Sequence, residues 1–203
     1  MMWQSHPFSA LVTAPAVEPL TLAEAKLYLR VDSTTENSLI TGMIVAARQW
    51  VETYTRRALI TQTWDFRYRY FMDIREPLIL PKAPLQSVTS ITYLDEDGVS
   101  QTLASSNYTV RTLSGATAGR GYIELNDDVS LPSLYTDAIA PVIVRAVCGY
   151  GVAVDVPDGI KMAIYLMLGD LYEQRQETMM SVSSKTKTTI ERLMGPYRLE
   201  QVP

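Results

Sequence analysis

Residues 63–70 read Thr-Trp-Asp-Phe-Arg-Tyr-Arg-Tyr, with an aromatic side chain at every even position and a polar one at every odd position. A period of two is typical of a half-buried β-strand, whose successive side chains point to opposite faces. The stretch predicts an aromatic face against a core and a basic face, with Arg67 and Arg69, that is solvated or lies between subunits. The alternation argues against a nucleic-acid stacking platform, because stacking needs aromatics and cations on one exposed surface.

Further strand-like segments follow this stretch and extend to about residue 148. Most are bounded by turn signals, and Asp95-Glu96-Asp97-Gly98 is typical of a hairpin turn. The glycine-rich loop at 114–120 lacks the spacing and the lysine of a phosphate-binding loop, so it predicts a plain connection between strands. The predicted strands are 78–80, 88–94, 99–103, 108–110, 121–125 and 142–147.

Helical patterns flank the strand block on both sides. Thr21 and Glu24 form a capping box, which starts a helix predicted over residues 21–31. An apolar stripe at a spacing of three and four residues predicts a long helix over 35–56, with Arg48 and Glu52 on its other faces. A third helix is predicted over 158–176. It is apolar on most of its circumference, so most of its surface has to be buried.

Strands grouped between helices favour an α+β fold over a doubly wound parallel sheet. We predict a single domain at residues 20–177, in which the N-terminal helices pack with the third helix and an antiparallel β-rich block is inserted at 60–150. Residues 1–19, with several prolines and no periodicity, are predicted to be an extended leader. Residues 178–203, which begin with a segment rich in Ser, Thr and Lys, are predicted to be an extended C-terminal arm.

The composition argues against most kinds of enzymatic site. One cysteine, Cys148, and one histidine, His6, cannot form a Cys/His zinc cluster, and His6 in the leader is poorly placed to act as a general base. A single cysteine also rules out an internal disulfide framework, which suits a reducing cytoplasm. No stretch reaches the roughly 18 apolar residues of a membrane span. These counts argue against a Ser-His-Asp or Cys-His catalytic site but leave a carboxylate-only site open. We predict no metal and no cofactor.

Two other function classes remain open. Asp127 and Asp128 are adjacent carboxylates that could belong to a hydrolytic site, although nothing in the sequence identifies their partner and a solvated acidic loop is the simpler interpretation. A small DNA-binding protein that assists packaging is the second alternative. The net charge of −4 argues against it, because strong duplex binding needs clustered Lys and Arg.

Several short stretches occur in a characteristic order. They are PLTLAEAK at 19–26, LRVD at 29–32, ALITQTW at 58–64, LILP at 78–81 with PL at 84–85, SVTSITY at 87–93, GYG at 149–151 and VPDGIK at 156–161. In this order they resemble one family, the head–tail adaptor (connector) proteins of tailed phages and phage-derived gene transfer agents. The resemblance covers residues 15–176 and leaves the leader and the tail unmatched.

The resemblance implies a structural protein of the virion neck, assembled in the host cytoplasm, without catalytic residues. It implies a ring of identical subunits, commonly dodecameric, that docks on the portal protein at the capsid vertex. The ring would continue the DNA channel toward a downstream stopper or tail-completion protein, and double-stranded DNA would pass without sequence-specific binding. A ring is built from heterologous contacts, so each subunit needs two different complementary faces. We expect these faces to include Trp50, Tyr54, Met162, Tyr165 and Leu166.

The C-terminal segment allows two interpretations. Residues 181–203 contain four basic and two acidic side chains, and the segment is either a frayed basic terminus or an arm that orders on a partner. In relatives this segment commonly reaches the portal, which implies the second interpretation and an intact fold after truncation near Gln176. The residues expected to bind the portal are Lys185, Lys187, Ile190, Arg192, Leu193, Met194, Tyr197 and Arg198.

Overall fold

The structure is a computed structural model that describes residues 8–71, 76–126, 129–173 and 184–200, the last range without the side chains of 184–186. It contains helices and antiparallel sheets, which confirms the α+β class. The chain divides into two compact units. The described residues of the β unit are 8–14, most of 61–149 and Glu200, and those of the helical unit are 15–60 and most of 150–199.

The β unit contains a five-stranded and a three-stranded sheet, and every described strand pairing is antiparallel. The strands are β1 Phe8–Thr13, β2 Gln62–Tyr68, β3 Leu78–Ile79, β4 Leu85–Leu94, β5 Ser100–Thr102, β6 Tyr108–Arg111, β7 Tyr122–Leu125 and β8 Val142–Cys148. The larger sheet has the order β1-β2-β8-β4-β5 and the smaller one β3-β7-β6.

The aromatic alternation of residues 63–70 forms strand β2 as expected, up to Tyr68. Phe66 and Tyr68 are buried, and the half-buried Trp64 lies under the ammonium group of Lys82, 4.8 Å from the ring centroid. Tyr70 differs, because the strand ends at Tyr68 and the Tyr70 side chain is 63% exposed. The period of two therefore holds only while the backbone pairs with the neighbouring strand β8.

The predicted hairpin turn at residues 95–98 is confirmed. The Asp95 carboxylate accepts hydrogen bonds from the backbone N–H groups of Asp97 and Val99, at 3.2 and 2.9 Å. Gly98 has a φ of 76°, a left-handed conformation that glycine adopts without steric cost. This turn joins β4 to β5, so strand β5 forms one edge of the larger sheet.

The helical unit contains four described α-helices: α1 Leu22–Leu29, α2 Asn37–Thr55, α3 Asp158–Glu173 and α4 Ser184–Met194. The capping box of α1 is present, because Glu24 N–H donates to the Thr21 hydroxyl and Thr21 N–H donates to the Glu24 carboxylate. The apolar stripes of α2 and α3 meet in one core, which includes Ile40, Ile44, Ala47, Val51, Ile160, Ala163, Ile164 and Leu168. The third predicted helix is found as α3, and residues 174–176 lie outside the described range.

Two terminal segments differ from the expected local structure. Residues 8–13 of the predicted leader form β1, which pairs with β2. Residues 184–194 of the predicted extended arm form helix α4, and Ile190 and Met194 belong to the core of the helical unit. Both segments lack a complete apolar stripe of their own, so their secondary structure depends on contacts with distant residues.

Candidate interaction surfaces

In the described part of the chain, the His, Cys, Asp and Glu residues form no cluster that could hold a metal ion. None of the helices in this part combines the length and apolar character that crossing a bilayer requires. Burial raises the pKa of the Cys148 thiol to about 12, so this thiol stays protonated at neutral pH and is a poor nucleophile. His6, Asp127 and Asp128 lie outside the described residues.

The charged side chains of helix α2 point into the helical unit. Arg48 and Glu52 are the helix's two charged residues and both are buried, although the sequence pattern places them away from the apolar stripe. The Arg48 guanidinium donates to Glu18 and to Glu52, each at 2.7 Å. The second oxygen of Glu52 accepts a hydrogen bond from the backbone N–H of Leu59 at 2.9 Å. Buried charges are stable only when paired in this way.

The outer face of α2 is consequently uncharged along about 28 Å, the length of 19 residues at about 1.5 Å per residue. A helix face in contact with water usually carries charged side chains. Here the exposed positions are Ser38, Leu39, Thr41, Gly42, Ala46, Gln49 and Thr53. A cluster of small and neutral side chains permits close approach of another protein surface without desolvating a charge.

Helices α1 and α3 form a second apolar surface. Leu27 is 82% exposed, and Tyr28 and Met162 are also exposed. The ring of Tyr28 packs against the half-buried Tyr165 with centroids 4.9 Å apart, and a β-carbon at Gly169 would lie 3.3 Å from the Tyr28 ring. Leu27 and Tyr28 were missed in the sequence analysis. The sequence does contain a signal for them, because these two large apolar residues lie outside the inward-facing stripe of α1.

The residues expected at the ring interface fall into two groups. Met162, Tyr165 and Leu166 lie on α3, and of these Met162 is exposed while the other two are half-buried. Trp50 and Tyr54 lie on α2 and stack on each other, with ring centroids 5.1 Å apart and planes at 7°. Both rings are half-buried, so each retains some surface for a neighbour.

The C-terminal segment is attached to the helical unit by backbone and side-chain contacts. Nε of Arg57 donates to the carbonyl of Tyr197 at 2.6 Å, and Leu199 N–H donates to the carbonyl of Thr55 at 3.1 Å. The guanidinium of Arg198 lies 5.0 Å from the ring centroid of Tyr54. These contacts follow α4 and keep residues 197–199 beside the end of α2.

Arg57 is the central residue of this attachment and was missed in the sequence analysis. It is 1% exposed, and burial lowers the pKa of its guanidinium from the ordinary value, partly offset by the Tyr150 hydroxyl. The hydrogen bond to Tyr197 compensates part of the cost of burying this charge. No local pattern separates Arg57 from the neighbouring Arg56, so the sequence alone contains no signal for this role.

The eight residues expected to bind a portal are therefore not equivalent. Ile190 and Met194 are buried, so their side chains cannot anchor a partner while α4 is in place. Lys187, Arg192 and Arg198 are exposed, Leu193 and Tyr197 are half-buried, and the Lys185 side chain lies outside the described residues. Removing the segment after Gln176 would uncover the core that Ile190 and Met194 cover. The expectation that such a truncation leaves the fold intact therefore has to be corrected.

On the larger sheet, the basic face predicted opposite the aromatic core contains a neutralised arginine. Arg145 donates two hydrogen bonds to Asp65, at 2.7 and 2.8 Å. Asp65 and Arg145 are directly paired across β2 and β8, and Arg67 on the same face is exposed. The hydrogen bonds from Arg145 hold the pKa of Asp65 below its ordinary value.

We predict that Ile190→Ala lowers the free energy of unfolding by about 2–5 kcal/mol, because it removes buried methyl groups from the core. The matched control is Arg192→Ala, an exposed residue on the same helix, with an expected change within about 0.5 kcal/mol. Urea unfolding followed by circular dichroism measures both. Equal stability of the two variants would show that α4 is not part of the cooperative fold.

The Asp65–Arg145 pair predicts a pH effect. A carboxyl whose pKa is lowered in the folded state contributes stability above its unfolded pKa of about 3.9, and this contribution is lost as the pH falls through the folded pKa. Asp65→Asn should therefore be less stable than the wild type at pH 7. Between about pH 4 and pH 2 the variant should lose less additional stability than the wild type does. The control is Glu96→Gln in the exposed hairpin turn. Parallel stability–pH curves for wild type and Asp65→Asn would contradict the assignment.

Comparison with known proteins agrees with the family indicated by the sequence. Residues 19–112 match the family described as phage gp6-like head–tail connector protein. Among curated proteins, none matches the chain closely enough to count as a relative.

Several solved structures share the fold. One chain from the neck of an empty gene transfer agent (GTA) particle, computed with C6 symmetry, has a TM-score of 0.75 and 22% identity over 97% of each chain. A chain from the virion of a native GTA particle has a TM-score of 0.70 and 23% identity over 97% of each chain. A chain from a native GTA neck computed with C12 symmetry has a TM-score of 0.63 and 22% identity, covering 96% of this chain and 97% of that one. The resemblance is thereby confirmed: residues 19–112 carry the sequence pattern of the phage gp6-like head–tail connector family, and nearly the whole chain has the fold of gene transfer agent neck chains.

Proposed function

We propose that this protein is a structural head–tail adaptor in the neck of a phage or phage-like particle. It forms a ring, docks on the portal vertex and continues the DNA channel toward a stopper or tail-completion protein. The observation that carries the proposal is the connector-family match at residues 19–112 together with a fold shared over nearly the full length with GTA neck chains. The protein acts through its shape and contacts, without catalysis.

The ring is supported by the surfaces of the helical unit. A ring joins unlike faces of successive copies, so each subunit must present two different complementary surfaces. We assign these roles to the uncharged outer face of α2 and to the exposed patch of Leu27, Tyr28 and Met162. The similar neck structure computed with C12 symmetry supports twelve copies as the proposed number.

Passage of DNA is supported by the charge distribution. A chain with net charge −4 does not attract duplex phosphate as a whole, and DNA in a channel must not bind strongly. Several basic groups are also paired within the chain. Arg145 is bound by Asp65, Arg111 by Glu124 at 3.1 Å, and Arg48 by two carboxylates. These pairs reduce the number of counterions that DNA could displace from the protein.

The portal contact is proposed for the exposed side of the C-terminal segment. Lys187 and Arg192 project from α4 on the surface that the core leaves uncovered. Leu193 and Tyr197 add half-buried apolar area next to them. The buried side of α4 holds the segment on the helical unit, so the portal would recognise a preformed helix rather than a free arm.

Gly42→Glu tests the ring. A β-carbon at Gly42 would meet nothing within 4 Å in the subunit, so we expect the monomer to fold normally. A charge on the neutral face of α2 should lower ring formation on the cognate portal at least about tenfold, because its desolvation costs more than 1.4 kcal/mol. Native mass spectrometry counts the copies, and Val154→Glu, at an exposed site that is not part of α2, is the control. If Gly42→Glu forms normal rings, α2 is not part of the ring interface.

Particles assembled without this protein test the function itself. We expect filled heads that fail to join tails and lose their genome, visible by electron microscopy and by nuclease sensitivity of the packaged DNA. Complementation by the wild-type chain should restore joined particles. Joined, nuclease-resistant particles in its absence would overturn the adaptor function. Duplex affinity that falls steeply with salt would instead support the DNA-binding alternative.

A further inference from the structure

Strand β1 leaves one edge of the larger sheet open. It is the terminal strand in the sheet order, its inner edge pairs with β2, and no other described strand pairs with its outer edge. All six of its residues are exposed, including the large apolar side chains of Phe8, Leu11 and Val12. Its outer row of backbone N–H and C=O groups is therefore available to another chain.

The sequence of β1 carries none of the usual protection of an edge. Natural edge strands are guarded by charged side chains, prolines or a covering element. β1 reads Phe-Ser-Ala-Leu-Val-Thr and contains neither a charge nor a proline. Because its six side chains bury little surface within the subunit, the ordering of this strand gains little from packing there. A partner that covers β1 would supply the missing burial.

An open sheet edge pairs with another extended strand, because its backbone N–H and C=O groups need matching groups along their whole length. Backbone groups along the edge give affinity, and the side chains on alternate faces give selectivity. Six residues extend over about 20 Å, which is too short to bury the roughly 1,200 Å² of a stable independent interface. The partner must therefore be a chain that other contacts already hold in place. A neighbouring copy in the proposed ring meets this requirement.

The opposite edge of the same sheet supplies a suitable strand. β5, Ser100–Thr102, ends the strand order on the other side, all three of its residues are exposed, and it is also uncharged. Four successive antiparallel pairings separate the two edges, so β1 and β5 run in the same direction. A heterologous contact joins two unlike surfaces of successive copies. The β1 edge and the β5 edge are two unlike surfaces of this kind.

We propose that the outer edge of β1 pairs with the β5 edge of the neighbouring copy, so that the larger sheets join around the ring. This inference rests on the proposed ring and adds a backbone contact to the helical faces. It assigns residues 8–13 a role in assembly.

Hydrogen exchange of the full-length chain tests the pairing. The amides of residues 8–13 and 100–102 should exchange at least tenfold more slowly in the portal-bound ring than in the monomer. The loop at 114–118, exposed or half-buried and outside the sheets, is the internal control and should not change. A ring in which residues 8–13 exchange as fast as in the monomer overturns the inference and leaves the adaptor function standing.

Cross-linking identifies the partner strand. The double variant Leu11→Cys/Gln101→Cys, treated with a short bis-maleimide in the portal-bound ring, should give a ladder of covalent multimers. Each single variant should give none, and the native Cys148 is buried and can stay. Dimers from Leu11→Cys alone, or protection of β1 without a ladder, would overturn the assignment to β5. Wild-type chain that stays monomeric beside the portal would overturn both the ring and this contact.

Discussion

Arg48 connects three parts of the helical unit through one buried group of charges. It pairs with Glu18 before α1 and with Glu52 one turn further along α2, and Glu52 in turn accepts a hydrogen bond from the backbone of Leu59. Removing Arg48 would leave the buried carboxylate of Glu52 without this counter-charge, so the members of this group constrain each other. Both charged side chains of α2, Arg48 and Glu52, belong to this buried group. The neutral outer face of the helix is a direct consequence of this inward pairing.

The two units support the proposed assembly by different physical means. The helical unit presents apolar and neutral side-chain surfaces, on α2 and at Leu27, Tyr28 and Met162, which gain free energy by excluding water. The β unit presents two sheet edges, at β1 and β5, beyond which no other described strand pairs. Side-chain surfaces can provide area, and backbone pairing can define register and direction. A ring that uses both kinds of contact obtains affinity from the first and orientation from the second.

The C-terminal segment shows how a basic tail can be part of the fold. Its composition allowed either a frayed end or a free arm. Ile190 and Met194 instead complete the core, and Arg57 binds the carbonyl of Tyr197 from a position far away in the sequence. The exposed Lys187 and Arg192 then occupy a defined surface. This arrangement is compatible with portal recognition by a preformed helix and excludes Ile190 and Met194 as anchors while α4 stays in place.

The sequence by itself determined the α+β class, the order of the elements and most of their bounds, because local periodicity, the Thr21–Glu24 capping box and the 95–98 turn are properties of neighbouring residues. It also indicated the connector family. Only the tertiary structure decided that Arg48 and Glu52 are buried, that residues 8–13 form an edge strand and that α4 covers the core. Each of these outcomes depends on a partner distant in sequence, namely Glu18, β2 and the α2–α3 core. Periodicity within a segment cannot reveal a partner that the chain brings to it only on folding.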